Sequence, residues 1–463
     1  MDAKTAKKIH IIGVGGIGVS ALAGILLHQG KVLSGSDMEA GAITDKLKKP
    51  GVKIFIGHKK GNVVFGTKLV IHSLAIPKTN PELIEAKKRR IPILTYPEAV
   101  GELTKQFFTI AVCGTHGKST ITAIIAKILI ENNFDPTVIV GTKLKELGGA
   151  NFRTGKSKIL ILEACEYMDA FLNYNPRAII LSTLDPDHLD YFKNFEDYKK
   201  SFRRFSEKLP SDGYFFGNLD DEDVHEIFKD LQLKKMPAHN MFTYGLKYNH
   251  SDFHLDGNKI MRRGAEEGKL DLKIPGEHNR SNALAAFAAC RILCNITPKN
   301  ILRSLNNYEG SFRRFEIKGK IGKTVIVDDY GHHPAEISAT LQAAKEKFPD
   351  KKICVVFQPH QYSRTKKLLK EFGSAFGQAD LVIIPNIYEA RDTKSDKVSV
   401  SAEQLVAEIQ KNKTRAMFID GFEKTAEYLK KNHKKFGVII TMGAGDVWKI
   451  AENIFDRNAY EAG

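Results

Sequence analysis

The chain has 463 residues, of which 42% are hydrophobic and 27% are charged, and its formal net charge is +16 at pH 7. This length predicts two to four domains, and the composition is that of an ordinary globular protein. Since the sequence has no apolar run of about 18 residues and no signal-peptide pattern, we expect neither a membrane span nor secretion, and we predict a cytoplasmic protein.

The basic residues are spread along the chain rather than concentrated in one arm. A basic field suits small polyanionic substrates such as nucleotides, although a solvated lysine-rich surface explains the charge as well. Nucleic-acid binding is not expected, because no aromatic–basic module is present. The five cysteines show no CxxC spacing, which favours reduced thiols over a disulfide framework.

Three apolar runs, at 9–12, 108–112 and 324–327, each lead into a glycine or acidic turn. After each one, apolar runs of four to six residues alternate with helix-length segments, a pattern typical of buried parallel strands. We therefore predict an α/β protein with a Rossmann-like domain at 1–107, a P-loop ATPase-like domain with a mostly parallel sheet at 108–312, and a second Rossmann-like domain at 313–463. Within the central domain, 211–275 is expected to form a smaller antiparallel element.

The first domain opens with a glycine-rich turn between a predicted strand and a predicted helix. Its glycines are Gly13, Gly15, Gly16 and Gly18, and Asp37 ends the next strand pattern. Such a turn brings backbone N–H groups to a helix start, which favours the diphosphate of a dinucleotide or a UDP-sugar, with Asp37 placed to bind a ribose. A purely structural strand–turn–helix connection is the alternative.

The most specific motif follows the strand at 108–112. It is a shortened phosphate-binding loop made of Gly114, Thr115, His116, Gly117, Lys118, Ser119 and Thr120. Backbone amides at the helix start hold phosphate oxygens, Lys118 supplies a positive charge, and the Ser119 hydroxyl binds Mg²⁺. We predict that this loop binds ATP.

The loop GTHGKST resembles that of the Mur-type ligases, and the GVGGIG opening fits the same family. The family's three domains bind a UDP-sugar, ATP and an incoming amino acid in that order. The resemblance implies an ATP-dependent ligase that forms an amide bond on UDP-N-acetylmuramate, with L-alanine as the amine, ATP and Mg²⁺ as cofactors, and a monomer or weak homodimer as the assembly. It also assigns the glycine-rich turn, Asp37 and Ser73 to the UDP-sugar.

Metal ligands are expected where buried strands of the central domain end. Glu163 and Glu166 follow one strand and His188 follows the next. The resemblance assigns Ser119 and Glu166 to a first Mg²⁺ and His188 to a second one. Cys165 departs from the family pattern, so the choice between Glu163 and Glu166 stays open. Some related ligases carry a carbamylated lysine, and Lys199 and Lys200 lie near this region, but the sequence does not show that either is modified.

Asn279 and Asn282 lie three residues apart at the start of a predicted helix, so their amides share one face and suit an adenine edge. The resemblance to the pattern HNxxNALAA favours adenine binding over a plain helix cap. The resemblance assigns Arg314, at the second domain boundary, to the transferred phosphate, which suits a planar guanidinium. A surface or interdomain ion pair is the alternative.

The third domain offers a second set of polar strand ends. Asp328 and Asp329 are predicted to bind the ATP ribose or a phosphate-bound metal, and the resemblance assigns four residues to the amino acid: Tyr330, His332, His360 and Arg364. His332 is also a candidate proton acceptor. Gln361 stands where the family pattern has arginine, which leaves the identity of the amino acid less secure than the reaction.

Rival functions use fewer of these motifs. A nicotinamide-dependent oxidoreductase explains only the opening glycines, and a P-loop ATPase or nucleotide sensor explains only the central domain. Within the ligase family, the nearest rival attaches a whole tripeptide to UDP-N-acetylmuramate. The predicted reaction begins with attack of the sugar carboxylate on the γ-phosphate of ATP, assisted by Lys118 and Arg314, and continues with attack of the amine on the acyl phosphate.

Overall fold

The structure is a computed structural model that describes residues 5–188, 191–233, 237, 240–390 and 392–455. It contains three separate sheets flanked by helices, and the predicted α/β class with mostly parallel sheets is confirmed. The chain divides into two compact units, the first made of 1–272 and 281–308, the second of 273–280 and 309–463. The first unit holds the first two sheets and the second unit holds the third.

The first sheet has five parallel strands in the order β3-β2-β1-β4-β5. The strands are β1 Lys8–Ile12, β2 Val32–Asp37, β3 Lys53–Ile56, β4 Leu69–His72 and β5 Ile93–Thr95, and the helices are α1 Ile17–His28, α2 Ala42–Lys48, α3 Pro81–Lys88 and α4 Tyr96–Thr104. The strand order reverses beside β1, and open α/β sheets bind ligands at the carboxyl end of such a switch point. The glycine-rich turn therefore lies where a ligand is expected.

A buried polar cluster ties this sheet together around Glu82 of α3. The Glu82 carboxylate, which is fully buried, lies 2.7 Å from His10 Nε2 and accepts from the Ser36 hydroxyl at 2.7 Å and the Asn62 amide at 2.9 Å. His58 Nδ1 lies 3.0 Å from its other oxygen. Burial raises the pKa of Glu82, but these hydrogen bonds outweigh it and lower the pKa to about 2.

The second sheet has ten strands in the order β15-β14-β13-β12-β11-β10-β6-β9-β7-β8. The strands are β6 Phe108–Cys113, β7 Thr137–Leu144, β8 Ala150–Arg153, β9 Ile159–Glu163, β10 Ala178–Leu181, β11 Tyr214–Asn218, β12 Met241–Gly245, β13 Phe253–Asp256, β14 Lys259–Arg262 and β15 Ala265–Lys269. Its helices are α5 Lys118–Glu131, α6 Phe195–Ser206, α7 Glu222–Leu233, α8 Glu277–Leu293 and α9 Pro298–Asn306.

The register of this sheet brings the ends of three strands side by side. Val112 of β6 pairs with Glu163 of β9 on one side and with Ile180 of β10 on the other. Because parallel strands end at the same edge, the loops after β6, β9 and β10 meet there. The predicted nucleotide and metal residues follow these three strands.

The antiparallel element expected at 211–275 is smaller than predicted. β11 and β12 continue the parallel sheet, and only β13, β14 and β15 pair antiparallel, through a turn at Gly257 with φ +58°. The hairpin is also not separate, because β13 pairs with β12 in the central sheet. The sequence did not predict β11 and β12 as parallel strands, because a short apolar run does not show which strand it will pair with.

The first sheet's helices pack directly against the second sheet. Gly24 of α1 lies against the ring of Phe152 in β8, and Asn151 Nδ2 donates to Ile17 O at 2.5 Å. Gly101 of α4 lies against the carbonyl of Asn173, at the end of a 3-10 segment Tyr167–Asn173. At both positions the Cβ of a larger residue would overlap the neighbouring chain, so the helices can approach this closely only where the residue is glycine.

The third sheet has six strands in the order β16-β17-β21-β18-β19-β20, parallel except for β16. The strands are β16 Glu316–Ile321, β17 Thr324–Asp329, β18 Ile353–Phe357, β19 Leu381–Ile384, β20 Ala416–Phe418 and β21 Val438–Met442. The helices are α10 Pro334–Lys347, α11 Tyr362–Lys367, α12 Leu369–Ser374, α13 Lys394–Lys397, α14 Ala402–Lys411, α15 Phe422–Asn432 and α16 Trp448–Ile454.

None of the helices in the described part of the chain is long and apolar enough to cross a membrane. The five cysteines are free thiols, as the sequence predicted. The three sheets lie within the three predicted domains, while the boundaries at 107 and 313 remain predictions.

Candidate active site

The glycine-rich turn after β1 is held by two contacts. Gly13 has φ +78°, and its ideal Cβ would lie 3.0 Å from the Cβ of Ser73, so glycine is required there. Gly15 N donates to Asp37 Oδ2 at 2.7 Å, and Gly16 caps α1. The predicted sugar residues therefore lie together, but Asp37 uses one oxygen to brace the turn.

Tyr96, at the start of α4, is a neighbour of this turn that the sequence did not reveal. An ideal Cβ at Gly18 would lie 2.7 Å from the Tyr96 hydroxyl, so the turn and the tyrosine are in close contact. Burial raises the pKa of Tyr96, and the nearby Cys165 and Glu163 raise it further. Tyr96 thus lies between the glycine-rich turn and the acids of the central sheet.

The nucleotide loop joins β6 to α5 through two glycines in the left-handed region. Gly114 has φ +126° and Gly117 has φ +83°. A Cβ at Gly114 would overlap Ser182 Oγ, and one at Gly117 would overlap Asn282 Oδ1. The loop is therefore packed tightly against the strand end at 181 and against α8, and it leads straight into the start of α5, where phosphate is favoured.

Thr115 and His116 connect this loop to the chain after β10. Thr115 N donates to Thr183 O at 2.7 Å, and the Thr115 hydroxyl accepts from Asp185 N at 2.9 Å. His116 Nε2 lies 3.0 Å from Asp185 Oδ2. Asp185 was not predicted as a site residue, although it belongs to an acidic run after an apolar strand.

Lys118 is surrounded by acceptors. Its ammonium donates to the carbonyls of Gly114 and Thr115, the latter at 3.0 Å, and to Glu166 Oε1 at 3.1 Å. Burial lowers the pKa of Lys118, but the charge of Glu166 outweighs it and raises the pKa above its usual range. The lysine therefore keeps its positive charge where the loop would hold phosphate.

The two acids left open by the sequence occupy different positions. Ser119 Oγ donates to Glu163 Oε1 at 3.0 Å, and Gly141 N donates to Glu163 Oε2 at 2.8 Å. Glu166 is 1% exposed, and its Oε2 has no hydrogen-bond partner among the described residues. His188 Nε2 lies 3.7 Å from Glu166 Oε1. Both acids are thus next to the loop, Glu163 by the serine and Glu166 by the lysine.

These residues fit Mg²⁺. The buried, unpartnered oxygen of Glu166 and the hydroxyl and carboxylate of Ser119 and Glu163 are the hard oxygen donors that Mg²⁺ prefers. In the described residues no three His, Cys, Asp or Glu side chains are grouped closely enough to hold a metal alone. A bound Mg²⁺ would therefore complete its shell with phosphate oxygens and water.

Lys199 is held as a cation. Its ammonium donates to Asp223 Oδ1 at 2.9 Å and lies 2.5 Å from Glu196 Oε1, and these hydrogen bonds raise its pKa. Carbamylation requires a neutral amine, so this pairing disfavours modification at Lys199.

The two asparagines at the start of α8 have different surroundings. Asn279 Nδ2 donates to Pro275 O at 2.6 Å, a local bond at the start of its own helix. Asn282 lies against Gly117 of the nucleotide loop, and both side chains are buried. Contact with the loop supports the nucleotide role of Asn282, and the adenine role of both remains a prediction.

The paired arginines at 313 and 314 also differ. Arg313 Nε donates to Asp328 Oδ2 at 2.8 Å, and its two amino groups donate to the carbonyls of Gly443 at 2.6 Å and Gly445 at 3.0 Å. Arg314 lies 5.1 Å from the Tyr330 ring. Arg313 thus serves the third sheet's own structure, which is consistent with Arg314 as the predicted phosphate contact.

Asp328 and Asp329, predicted for ATP, are buried and hydrogen-bonded within the third sheet. Asp328 accepts from Arg313 and from the Thr441 hydroxyl at 2.7 Å, while burial, opposed by Arg313, raises its pKa to about 6. Asp329 accepts from the backbone N–H of Phe315 and Gly331, each at 2.8 Å. Both acids have structural uses, and their nucleotide role remains a prediction.

An aromatic row lies along the carboxyl edge of the third sheet. Tyr330 contacts His332 at 5.4 Å between ring centroids, His332 contacts His360 at 6.1 Å, and His360 stacks on Tyr388 at 5.3 Å. His332 Nδ1 also lies 3.4 Å from Glu336 Oε2. Three predicted amino-acid residues are thus brought together, and Tyr388 and Glu336 are neighbours that the sequence did not reveal.

Gln361 and Arg364 lie at the start of α11, beside this row. Gln361 is 4% exposed with φ +75°, and its Nε2 donates to Ala390 O at 2.9 Å. The side chain that replaces the family's arginine is therefore turned to the backbone of the chain after β19. Arg364 is half-buried and remains the predicted partner of the amino acid carboxylate.

A glycine loop beside a lysine–glutamate pair, at the carboxyl edge of a parallel sheet, is typical of enzymes that bind nucleotide phosphates. Three family models match the chain: "Mur ligase family, catalytic domain" over 8–108, "Mur ligase middle domain" over 112–290 and "Mur ligase, glutamate ligase domain" over 313–445. The chain belongs to the Mur ligase family, and the resemblance inferred from its motifs is confirmed.

Individual relatives match along their whole length. UDP-N-acetylmuramate–L-alanine ligases of Acetivibrio thermocellus and Caldanaerobacter subterraneus are 42% and 40% identical, over 98% and 99% of this chain and 96% and 99% of theirs. The solved UDP-N-acetylmuramate–alanine ligase of Thermotoga maritima superposes with a TM-score of 0.78 at 28% identity, over 98% of this chain and 99% of that one. A murein peptide ligase from Psychrobacter arcticus, with a TM-score of 0.70 at 22% identity over 97% and 98%, shares the fold.

Proposed function

We propose that this chain joins L-alanine to the carboxylate of UDP-N-acetylmuramate with hydrolysis of ATP to ADP and phosphate. The observation that carries the proposal is the meeting of Lys118, Ser119, Glu163 and Glu166 beside one glycine loop. The full-length similarity to ligases of that name, at 40% identity and above, supports the choice of substrates.

The first step requires negative charge to be offset at the γ-phosphate. A carboxylate is a poor electrophile, so the sugar carboxylate first attacks the γ-phosphorus of ATP. The bond from that phosphorus to the β,γ-bridging oxygen breaks, ADP leaves, and an acyl phosphate forms. Lys118 keeps its charge because Glu166 lies 3.1 Å away, and the N–H groups at the start of α5 add fixed dipoles. The family pattern assigns Arg314 to the same phosphate.

Mg²⁺ bound at this site would neutralise phosphate charge. Ser119, Glu163 and Glu166 would hold it from the protein side, and we propose that both acids take part. The assignment of His188 to a second ion rests on the family resemblance and on its place 3.7 Å from Glu166.

The second step needs a neutral amine. The α-amino group of L-alanine attacks the acyl carbon, phosphate leaves, and one proton must be removed from nitrogen. His332 is the proposed acceptor, since its Nδ1 lies 3.4 Å from Glu336, whose carboxylate would stabilise the resulting imidazolium. Arg364 is proposed to hold the amino acid carboxylate.

The test is phosphate release from ATP by the full chain with UDP-N-acetylmuramate and one amine at a time: L-alanine, glycine, L-serine or the tripeptide. We expect release that requires both the sugar and L-alanine. Release without any amine would favour a simple ATPase, and a preference for the tripeptide would favour the recycling ligase. Oxidation of NADH would favour the oxidoreductase. The three-way comparison of amino acids also reports what Gln361 permits.

A further inference from the structure

Tyr198 of α6 is fully buried beside the nucleotide loop. Its hydroxyl donates to Glu166 Oε1 at 3.2 Å and lies 2.9 Å from the Thr115 hydroxyl. The residue thus touches both the loop that holds phosphate and the acid that pairs with Lys118.

The direction of these bonds follows from the proton count. A tyrosine hydroxyl has one proton to donate. That proton goes to the charged Glu166. The Thr115 hydroxyl accepts from Asp185 N at 2.9 Å, and its own proton has the Asp185 carbonyl at 3.1 Å and the Tyr198 oxygen at 2.9 Å within reach. The Tyr198 hydroxyl therefore links the nucleotide loop to one oxygen of Glu166.

The Tyr198 hydroxyl is not needed for the packing of the ring. The Tyr198 ring packs edge-on against Phe192 and Phe202 at centroid distances of 5.1 and 5.0 Å, contacts that phenylalanine would keep. Burying a hydroxyl is costly unless it is hydrogen-bonded, so its value lies in the bonds to Glu166 and Thr115.

A second side chain of α6 holds the segment that follows Glu166. Ser201, one helical turn after Tyr198, donates to Asp169, three residues after Glu166. Met168 and Asp169 have φ +55°, an unfavourable conformation for residues other than glycine. Helix α6 thus fixes this segment at two points, one of them the glutamate itself.

We propose that Tyr198 is a positioning residue for the ligase reaction: its hydroxyl holds Glu166 Oε1 beside Thr115 and Lys118 and leaves Oε2 available to the nucleotide's metal ion. This inference rests on the proposed function. Without the hydroxyl, the Glu166 side chain would sample other rotamers, and the charge arrangement at the phosphate would be less well organised.

The experiment compares Tyr198→Phe with the wild-type full chain and with Tyr244→Phe. Tyr244 of β12 is a matched control, because it is also buried in the first unit and its hydroxyl donates to Leu181 O at 3.2 Å. Tyr198→Phe is expected to lower kcat about tenfold, as for the loss of a hydrogen bond to a charged group. The KM values for L-alanine and the UDP-sugar are expected to stay within about twofold. An unchanged kcat, or an equal loss in Tyr244→Phe, would overturn the proposal.

A double-mutant cycle with Glu166→Gln separates positioning from general damage. Affinity for ATP with Mg²⁺, measured by calorimetry on all four proteins, keeps the cycle readable even where turnover is absent. The loss of ATP affinity that Tyr198→Phe causes is expected to fall below about twofold in the Glu166→Gln background. The same fold-loss of ATP affinity in both backgrounds would overturn the inference. A wild-type protein that binds ATP but never forms the amide would overturn the proposed function instead.

Discussion

Charge at single residues decides what the nucleotide loop can do. The Lys118 ammonium donates to two carbonyls of its own loop and to one carboxylate, and these acceptors stabilise its positive charge. Glu163 and Glu166 are not equivalent, because the first touches Ser119 and the second touches Lys118. The sequence predicted the loop, since strand, glycines and helix are contiguous there. It left the two acids open, because their partners are more than forty positions away.

Replacement of Lys118 by methionine is expected to lower phosphate release by more than about a hundredfold, because Lys118 is the one lysine or arginine of the loop at 114–120. Affinity for the UDP-sugar, measured by calorimetry, is expected to be unchanged. Lys127→Met is the control, since Lys127 lies on the same helix and pairs with Glu131 at 2.6 Å. Full activity in Lys118→Met would rule out the assigned loop.

Arg313 and Arg314 are expected to respond differently to lysine. Arg313→Lys removes a guanidinium group that donates to Asp328 and to two carbonyls. The free energy of unfolding of the third sheet's domain should therefore fall by about 1–3 kcal/mol. Arg314→Lys should melt like the wild type but release phosphate more slowly. Calorimetric melting and turnover measured on both variants check this, and the reverse pattern would exchange the two roles.

At the scale of elements, some residue types are explained by close packing between a helix and the neighbouring chain, and not by a motif. Parallel strands such as β6, β10, β17 and β18 were predictable because their apolar runs are typical of strands buried on both faces, whereas β11 and β12 were missed. Helix α6 was predictable only as an amphipathic helix. Its residue Tyr198 reaches a glutamate 32 positions earlier, a pairing that no local pattern encodes. Tyr388 and Glu336 were missed for the same reason.

Gly101→Ala tests the contact between α4 and the segment Tyr167–Asn173. The new Cβ would overlap the Asn173 carbonyl, and backbone must move to relieve the overlap. The cost of about 1–3 kcal/mol is expected to exceed the gain in helix propensity, about 1 kcal/mol. Melting should therefore occur a few degrees earlier. Gly61→Ala is the control, because nothing lies within 4 Å of its ideal Cβ. Equal melting of both variants would contradict the contact.

At the scale of the whole molecule, the family and the three-sheet α/β fold followed from the sequence, because each sheet begins with its own strand and turn. The division into two compact units did not follow, since it depends on packing between α1, α4 and the central sheet. The buried cluster around Glu82 was also invisible, because its members come from four separate stretches of the first domain.

Acid is expected to destabilise the first domain through Glu82. Its folded pKa of about 2 lies below the ordinary value of 4.5, so the stability it contributes is complete above pH 4.5 and is lost as the pH falls toward 2. Urea unfolding at a series of pH values should show this decline, and Glu82→Gln should be less stable at neutral pH but flatter between these two values. An equally steep decline in the variant would place the effect elsewhere.

The contacts of Gly24 with Phe152 and of Gly101 with Asn173 also decide how the chain can be cut. A fragment that stops near residue 107 would bare the packed faces of α1 and α4 to water and is expected to aggregate. Extending it to residue 175 would restore those faces but divide the central sheet between β6 and its neighbour β10. The shortest fragment expected to survive on its own while retaining the glycine-rich turn is therefore 1–308.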